Sequence, residues 1–437
     1  MLYSRIKDSI SRYRALYLLP LAVVCVVGIA ALLLTPRSLT WPQWNVAKNI
    51  SQTLKYKTFL DVRELNWYRD EGDWLRRNYL PYIDQPYEYP VLATALFTLP
   101  ALPDDSVAGY HVRFRVMMIA CALILIAFTL RHGLPQSRQK LVWLLLAPSV
   151  LYTSLNRFDI AVALTLQVSL VWLYQRHWRG AFIMLALAIL LKWYAGLLLP
   201  FYLLVLFEHA RTWQERKRGF AALLWCVALL VIGHSWPVVV GGSVLDMVNP
   251  YAIHFVRSPE VGSFAAAIVA PFGKFYLPAY PLDAGNVDTL TAVLVAVSTL
   301  LQLSGLIVLL LVLIYRRTPL ADLRTFAHAA LLVVGAFVFF NRLYSFQWIV
   351  WLAPIFILTL PTRAAVISFF MYDIISYLQS PILFGTFHYV PHFILFTILT
   401  VLRSGFLAYC LYPSLRWFFP RAGAGSRDTK LIAELSQ

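Results

Sequence analysis

Charge is scarce in this 437-residue chain. Asp, Glu, Lys and Arg supply 13% of it, against about 25% in a soluble domain. Cysteine is scarcer: Cys25, Cys121, Cys226 and Cys410 all fall inside apolar runs without C-x-x-C spacing, so neither a disulfide framework nor a cysteine-based metal centre is expected. No G-x-x-x-x-G-K-[ST] loop and no G-x-S-x-G elbow occurs, which argues against P-loop ATP chemistry and against an α/β-hydrolase. The D-x-D pair of soluble nucleotide-sugar enzymes is also missing; Asp70, Glu71 and Asp73 come nearest. Acids are outnumbered 21 to 37 by bases, giving +16. In a soluble protein that excess would suggest nucleic acid, but here the bases sit in short clusters between apolar runs and track no folded domain, so no nucleic acid partner is expected.

What is abundant is apolar. Hydrophobic residues make up 60%, mean hydropathy is +0.68, and 24 Tyr and 14 Trp suit many membrane–water interfaces. A helix needs roughly 20 apolar residues to cross the hydrocarbon core. The runs predict an all-α, polytopic transmembrane bundle of about twelve spans, near 16–35, 116–130, 141–155, 160–174, 181–191, 196–207, 220–238, 289–315, 325–340, 346–360, 364–378 and 391–413. The first run follows Arg5, Lys7, Arg12 and Arg14 without a small-residue cleavage site, and reads as an anchor. With a cytosolic N-terminus, the inner segments carry 21 bases and 6 acids and the outer ones 15 and 14. That asymmetry predicts a multi-pass plasma-membrane protein with both termini cytoplasmic. Within 181–207, Lys192-Trp193-Tyr194 predicts two short helices meeting at the outer interface. Residues 1–413 read as one transmembrane domain and 414–437 as a disordered cytoplasmic tail.

The unusual residues gather on the predicted outer side. The loop 36–115 alternates charges with aromatics, as interfacial helices do, and Val91–Leu102 is too short to span. The loop 239–288 has an apolar middle. Tight outer turns hold Asn156-Arg157-Phe158-Asp159, Lys192-Trp193-Tyr194 and Asn341-Arg342-Leu343-Tyr344-Ser345. Ionisable groups near membrane depth are functional candidates by default. Asp373 and Arg403 read as a structural ion pair of the last helical hairpin. His388 and His392 lie four apart, but Pro391 intervenes and no acidic partner follows in a metal pattern, so no metal site is expected.

Five segments carry a resemblance. They are Asp61-Val62-Arg63 with Pro81-Tyr82 and Glu88-Tyr89-Pro90; Asn156-Arg157-Phe158-Asp159; Leu190-Leu191-Lys192-Trp193-Tyr194; His254-Phe255-Val256-Arg257 with Glu260 and Ser263; and Ser345-Phe346-Gln347-Trp348 with Trp351 and Pro354. In this order they resemble the GT-C superfamily of polytopic glycosyltransferases, most of all glycosyltransferase family 87, and more distantly the GPI mannosyltransferases. The likeness runs from about 15 to 413. Phe346 stands where the pattern has Pro, and Leu60 where it has a small polar residue.

The resemblance implies transfer of a hexose, mannose by family expectation, from a polyprenyl-phosphate sugar to a lipid-linked or cell-envelope glycan. Transfer would take place at the outer face, with inversion and without a cofactor. It implies Asp61 as the base that deprotonates the acceptor, one of nine acids in its loop. A guanidinium grips two phosphate oxygens at once, which makes Arg257 the first ligand of the donor phosphate; the alternative is a rim arginine paired with Glu260. His254 is a second phosphate ligand or an interfacial histidine. Lys192 and Arg342 add positive potential or snorkel to lipid headgroups. Asp159, Glu88, Gln347, Tyr82 and Tyr89 are candidates for binding acceptor or sugar. Asp159 could equally cap the helix from Ile160, and the tyrosines could belong to an interfacial belt. The rival functions are a lipid-linked glycan polymerase or ligase, a transporter or flippase, though no inverted repeat is visible, and a catalytically silent scaffold.

Overall fold

The computed structural model describes residues 20–27, 29, 62–85, 87–248, 250–251, 259–260, 262–269, 289–315, 320, 322–383 and 390–419. Among them the only β pairing is an isolated bridge between Pro81 and Gln85. The labelled helices are α1 (Val62–Gly72), α2 (Trp74–Arg77), α3 (Val91–Ala101), α4 (Val107–Phe128), α5 (Pro148–Asn156), α6 (Asp159–Tyr174), α7 (Trp178–Leu191), α8 (Leu199–His209), α9 (Trp213–His234), α10 (Trp236–Val239), α11 (Phe264–Val269), α12 (Thr289–Tyr315), α13 (Leu323–Phe340), α14 (Ile349–Leu358), α15 (Arg363–Tyr377) and α16 (Val390–Phe418). A π turn, Thr129–Gly133, extends α4, and 3₁₀ segments cover Gln136–Leu146, Trp193–Leu198 and Phe346–Trp348.

Several starts are written locally. Ser106 accepts from the Gly109 N–H and opens α4; Asp322 accepts from Thr325 and opens α13; Thr362 accepts from Ala365 and opens α15. Thr212 and Glu215 form a capping box at α9. Each such side chain satisfies a backbone donor that the first helical turn leaves unpaired.

Among the described residues six helices are long and apolar enough to cross a membrane: Val107–Gly133, Trp213–His234, Ala292–Tyr315, Leu323–Phe340, Arg363–Leu383 and Ile394–Phe418. The pair α5–α6 makes a seventh if counted as one span bent by 105°. Trp213–His234 and Ala292–Tyr315 bury only 17% of their most apolar stretch, and their outward residues include Leu224, Ile232, Leu300 and Leu311. Apolar faces this extensive are stable against lipid and not against water. The chain is thus a helical membrane bundle.

The expected count of about twelve spans is not reached among the described residues. The span expected at 116–130 belongs to a helix that starts at Val107, and 141–155 is split between the 3₁₀ segment and α5 at Ala147-Pro148. The apolar helices Val91–Ala101, Trp178–Leu191, Trp193–His209 and Phe346–Leu358 are short. Ten residues of α-helix rise about 15 Å, half of a hydrocarbon core about 30 Å thick. Such helices are sustained by protein: all ten residues of α14 are buried, and α7 packs between α6 and α9. The two short helices expected on either side of Lys192 are present. Most of the span expected at 16–35 lies outside the described residues.

One aromatic knot ties the N-terminal elements to the bundle. The Tyr68 ring stacks on Phe97 at 4.3 Å and meets Phe114 at 5.5 Å and Phe158 at 5.7 Å. Tyr89 and Phe97 each meet Phe158 edge-on at 5.1 Å. Contacts of this kind add to simple area burial. Gly72 lets α1 approach α3 so closely that a Cβ there would overlap the Phe97 carbonyl.

Candidate functional site

The site is assembled where helices break. Between α5 and α6 the chain passes through Arg157 in extended conformation, and between α7 and the following 3₁₀ segment it passes through Lys192, also extended. Backbone leaves the helical ladder at both points, which aims the side chains of Asp159 and Lys192 at one another. Lys192 Nζ donates to Asp159 Oδ1 at 2.7 Å, and Trp351 Nε1 donates to the same oxygen at 2.6 Å. The ammonium lies 4.7 Å from the Phe158 ring centre, 5.1 Å from Trp351 and 5.5 Å from Tyr89, so cation–π attraction adds to the ion pair. Tyr194 stacks on Trp351 at 3.8 Å. Glu88, itself buried, acts electrostatically on Lys192.

Around this pair runs a second polar layer. Arg157 pairs with Glu64 of α1 and lies over the Phe346 ring at 4.9 Å. Asn156 accepts from the Arg115 guanidinium at 3.2 and 3.3 Å, and His111 meets Asn66 at 2.9 Å. Glu64, Trp67 and Glu71 share one face of α1 at helical spacing. Trp67 Nε1 donates to Glu71 Oε1 at 2.7 Å, and its ring is 6.4 Å from Tyr89. Buried oxygens of Asp159 (Oδ2), Tyr194 (OH) and Gln347 (Oε1) have no hydrogen-bond partner among the described residues. A buried polar atom left without a partner is costly, so each of these three calls for a further donor or acceptor, a water included.

Of the expected site residues, the structure brings Asp159, Lys192, Glu88 and Tyr89 together. Asp159 is not the cap of the helix from Ile160: α6 begins at Asp159 itself, and its carboxylate faces Lys192 and Trp351. Lys192 does not snorkel, because its ammonium is buried in the ion pair. Tyr82 and Tyr89 offer no open ring face for a sugar. Both are buried; the Tyr82 hydroxyl donates to the Tyr89 carbonyl at 2.6 Å and meets Thr94 Oγ1 at 3.1 Å, which closes the loop before α3. Gln347 is buried in the 3₁₀ turn before α14. Arg342 stands apart. It donates to Thr299 Oγ1 at 3.2 Å, its carbonyl accepts from Glu260 N at 2.9 Å, and Glu260 Oε2 accepts from Tyr344 N at 3.2 Å. Asp61, His254, Arg257 and His388 lie outside the described residues. Asp61 directly precedes Val62, which packs with Leu155.

The expected Asp373–Arg403 ion pair is absent. Asp373 instead accepts from the Ser149 and Val150 N–H groups, each at 3.0 Å, at the start of α5. A carboxylate is the natural partner of a helix N-terminus, where free donors and the helix dipole converge. Arg403 donates to Gln379 and the Gly262 carbonyl and lies 3.2 Å from the Tyr344 ring centre. Asp373→Asn keeps one acceptor oxygen and loses the charge. Thermal unfolding in detergent is expected to show a loss of about 1–2 kcal/mol.

Glu64, Arg157, Trp351 and Glu71 were not among the expected site residues. Arg157 and Trp351 stood inside the family-like motifs; Glu71 was weighed only with Asp70 and Asp73 as a near-match to D-x-D, and Glu64 is visible only as a helix-face neighbour of Trp67. Glu71 lies outside the long spans, and its carboxyl is pushed up to about 6, chiefly by burial, with the Trp67 hydrogen bond opposing. A carboxyl raised above its ordinary 4.5 weakens the fold when ionised, so stability falls as pH rises through about 6 and is recovered toward 4.5. Glu71→Gln is therefore expected to gain about 1–2 kcal/mol at pH 7.5 and little at pH 4.5, read as unfolding temperature at the two pH values.

Among the described residues no three His, Cys, Asp or Glu side chains are placed to hold a metal ion. Comparison of the chain with known protein families and with curated proteins finds no match to either.

Proposed function

We propose that this chain is an integral membrane glycosyltransferase. It moves a hexose, with mannose the first candidate, from a polyprenyl-phosphate donor to a lipid-linked or cell-envelope acceptor at the non-cytosolic face. One observation carries the reading. Four segments distant in sequence, quoted for their likeness to family 87, meet in a single buried polar cluster: Glu88-Tyr89, Arg157 to Asp159, Lys192 and Trp351. The buried pair leaves one carboxylate oxygen, Asp159 Oδ2, without a hydrogen-bond partner among the described residues.

The chemistry is a single displacement. The acceptor hydroxyl oxygen forms a bond to the anomeric carbon while the bond from that carbon to the phosphate oxygen breaks. The bonding pair leaves with the polyprenyl phosphate, and the hydroxyl proton passes to a carboxylate, Asp61 in this reading. Arg257 and His254 bind the leaving phosphate, whose charge grows in the transition state. Lys192, already engaged by Asp159, is a positioning cation beside the sugar and not a phosphate ligand. Asp159 Oδ2 and Gln347 Oε1 are buried as well, so in this reading they accept hydrogen bonds from sugar hydroxyls only once the cluster opens to the donor.

The assay is transfer of labelled mannose from polyprenyl-phosphate-mannose to the lipid and glycan fractions of membranes carrying the chain. Transfer above that of membranes lacking the chain supports the reading. Equal transfer from both, with other polyprenyl-phosphate hexoses also inert, removes it.

A further inference from the structure

A cavity of the described residues lies far from that cluster. It has a volume of about 50 Å³ and lies between the first turns of α13, the turn that joins α14 to α15, and the end of α16. Its polar wall is Arg324, His328, Thr359, Thr362 and Ser414; the rest is apolar, with Phe356, Pro361 and Pro413. α13 rises about 27 Å between this end and its Phe340 end, so the cavity sits at the opposite side of the bundle from the Asn341–Ser345 turn. Charge asymmetry assigns this end, with Arg138, Arg324 and Arg363, to the cytosolic side.

The wall is built for an anion. His328 is 5% exposed. Its Nδ1 meets Ser414 Oγ at 2.8 Å and its ring stacks on Trp417 at 4.5 Å. Its Nε2 is buried with no partner among the described residues. With Ser414 donating to Nδ1, Nε2 carries the proton and donates. Arg324 is held in place by its bond to the Thr359 carbonyl at 3.0 Å and by Trp417 at 5.2 Å, and Arg138 adds its charge to that of Arg324. Asp322 also acts on Arg324, but its two oxygens are engaged by Thr325 N at 2.8 Å and Oγ1 at 3.1 Å. Thr362 and Ala365, at the N-terminus of α15, line the same space, where the helix dipole favours negative charge. A water needs about 10–15 Å³ of such space; this cavity holds several times that, the scale of a phosphate group.

We propose that this cavity binds the phosphate of an anionic lipid headgroup, with His328 Nε2 and the Arg324 guanidinium as donors and the apolar wall facing the acyl region. The chain ends that form it are the ends of long spans, at headgroup depth. The site is independent of sugar transfer: it stands or falls without the assay above.

The test uses the purified full chain in detergent, titrated with phosphatidylglycerol or phosphatidylcholine and read by native mass spectrometry. Phosphatidylglycerol is expected to be retained over phosphatidylcholine. Arg324→Gln and His328→Asn should each weaken its retention about fivefold, while Arg179→Gln, a cation stacked on Trp225 outside the cavity, leaves it unchanged. Millimolar inorganic phosphate separates the two sources of the ligand. Retention of the lipid in its presence supports the headgroup; displacement overturns the lipid assignment in favour of free phosphate. Equal retention by the wild type and both variants, or equal binding of phosphatidylcholine, overturns the site. If Arg324→Gln does not fold, His328→Asn decides alone, since it leaves the Arg324–Thr359 bond intact.

Discussion

Replacing Lys192 by methionine is expected to cost about 3–5 kcal/mol of stability, because it strands Asp159 in the bundle without its cation. The carboxylate is wholly buried and would keep only the Trp351 indole as a hydrogen-bond donor. Methionine fills much of the space of the lysine stem, so the loss reports charge and not a cavity. The double variant Lys192→Met/Asp159→Leu should recover most of the loss, since a buried pair removed together leaves no orphan. Thermal unfolding of the four proteins in the same detergent closes the cycle. A Lys192→Met protein as stable as the parent would show that the pair is not formed at this depth. The same cycle bears on function: a double variant that folds but transfers no sugar separates the positioning role of the pair from its structural one.

The second large effect is on activity. Asp61→Ala is expected to lower sugar transfer by about 10²–10⁴-fold, the usual contribution of a positioned general base, with the unfolding temperature little changed. Asp61→Asn, which keeps the shape and one hydrogen-bond acceptor, should be almost as inactive, because an amide cannot take the proton. Retention of activity in both would pass the role of base to another carboxylate of the same region. Glu71 is then the first candidate, as its raised titration and its place beside Trp67 suit proton exchange. Measuring donor affinity alongside turnover separates the outcomes: loss of the base lowers turnover and leaves donor binding nearly intact.

The membrane class of this protein was decided by composition and by apolar run length. Both are properties of the chain alone, since lipid makes the same demand on every segment. Helix starts at Ser106, Thr212, Asp322 and Thr362 were equally local, a side-chain oxygen meeting a backbone N–H three residues on. The breaks at Asn156–Asp159 and at Lys192 could also be read, because charge interrupts an apolar helix there. Span number could not. Whether ten or fourteen apolar residues cross a bilayer or end inside a bundle depends on what packs around them, and α7 and α14 are short because protein surrounds them. Partner choice was hidden for the same reason. Asp159 joins Lys192 across 33 positions and Trp351 across 192, and Asp373 reaches Ser149 across 224. Local pattern says that a buried charge must find a partner; only the packing of the helices determines which one is within reach.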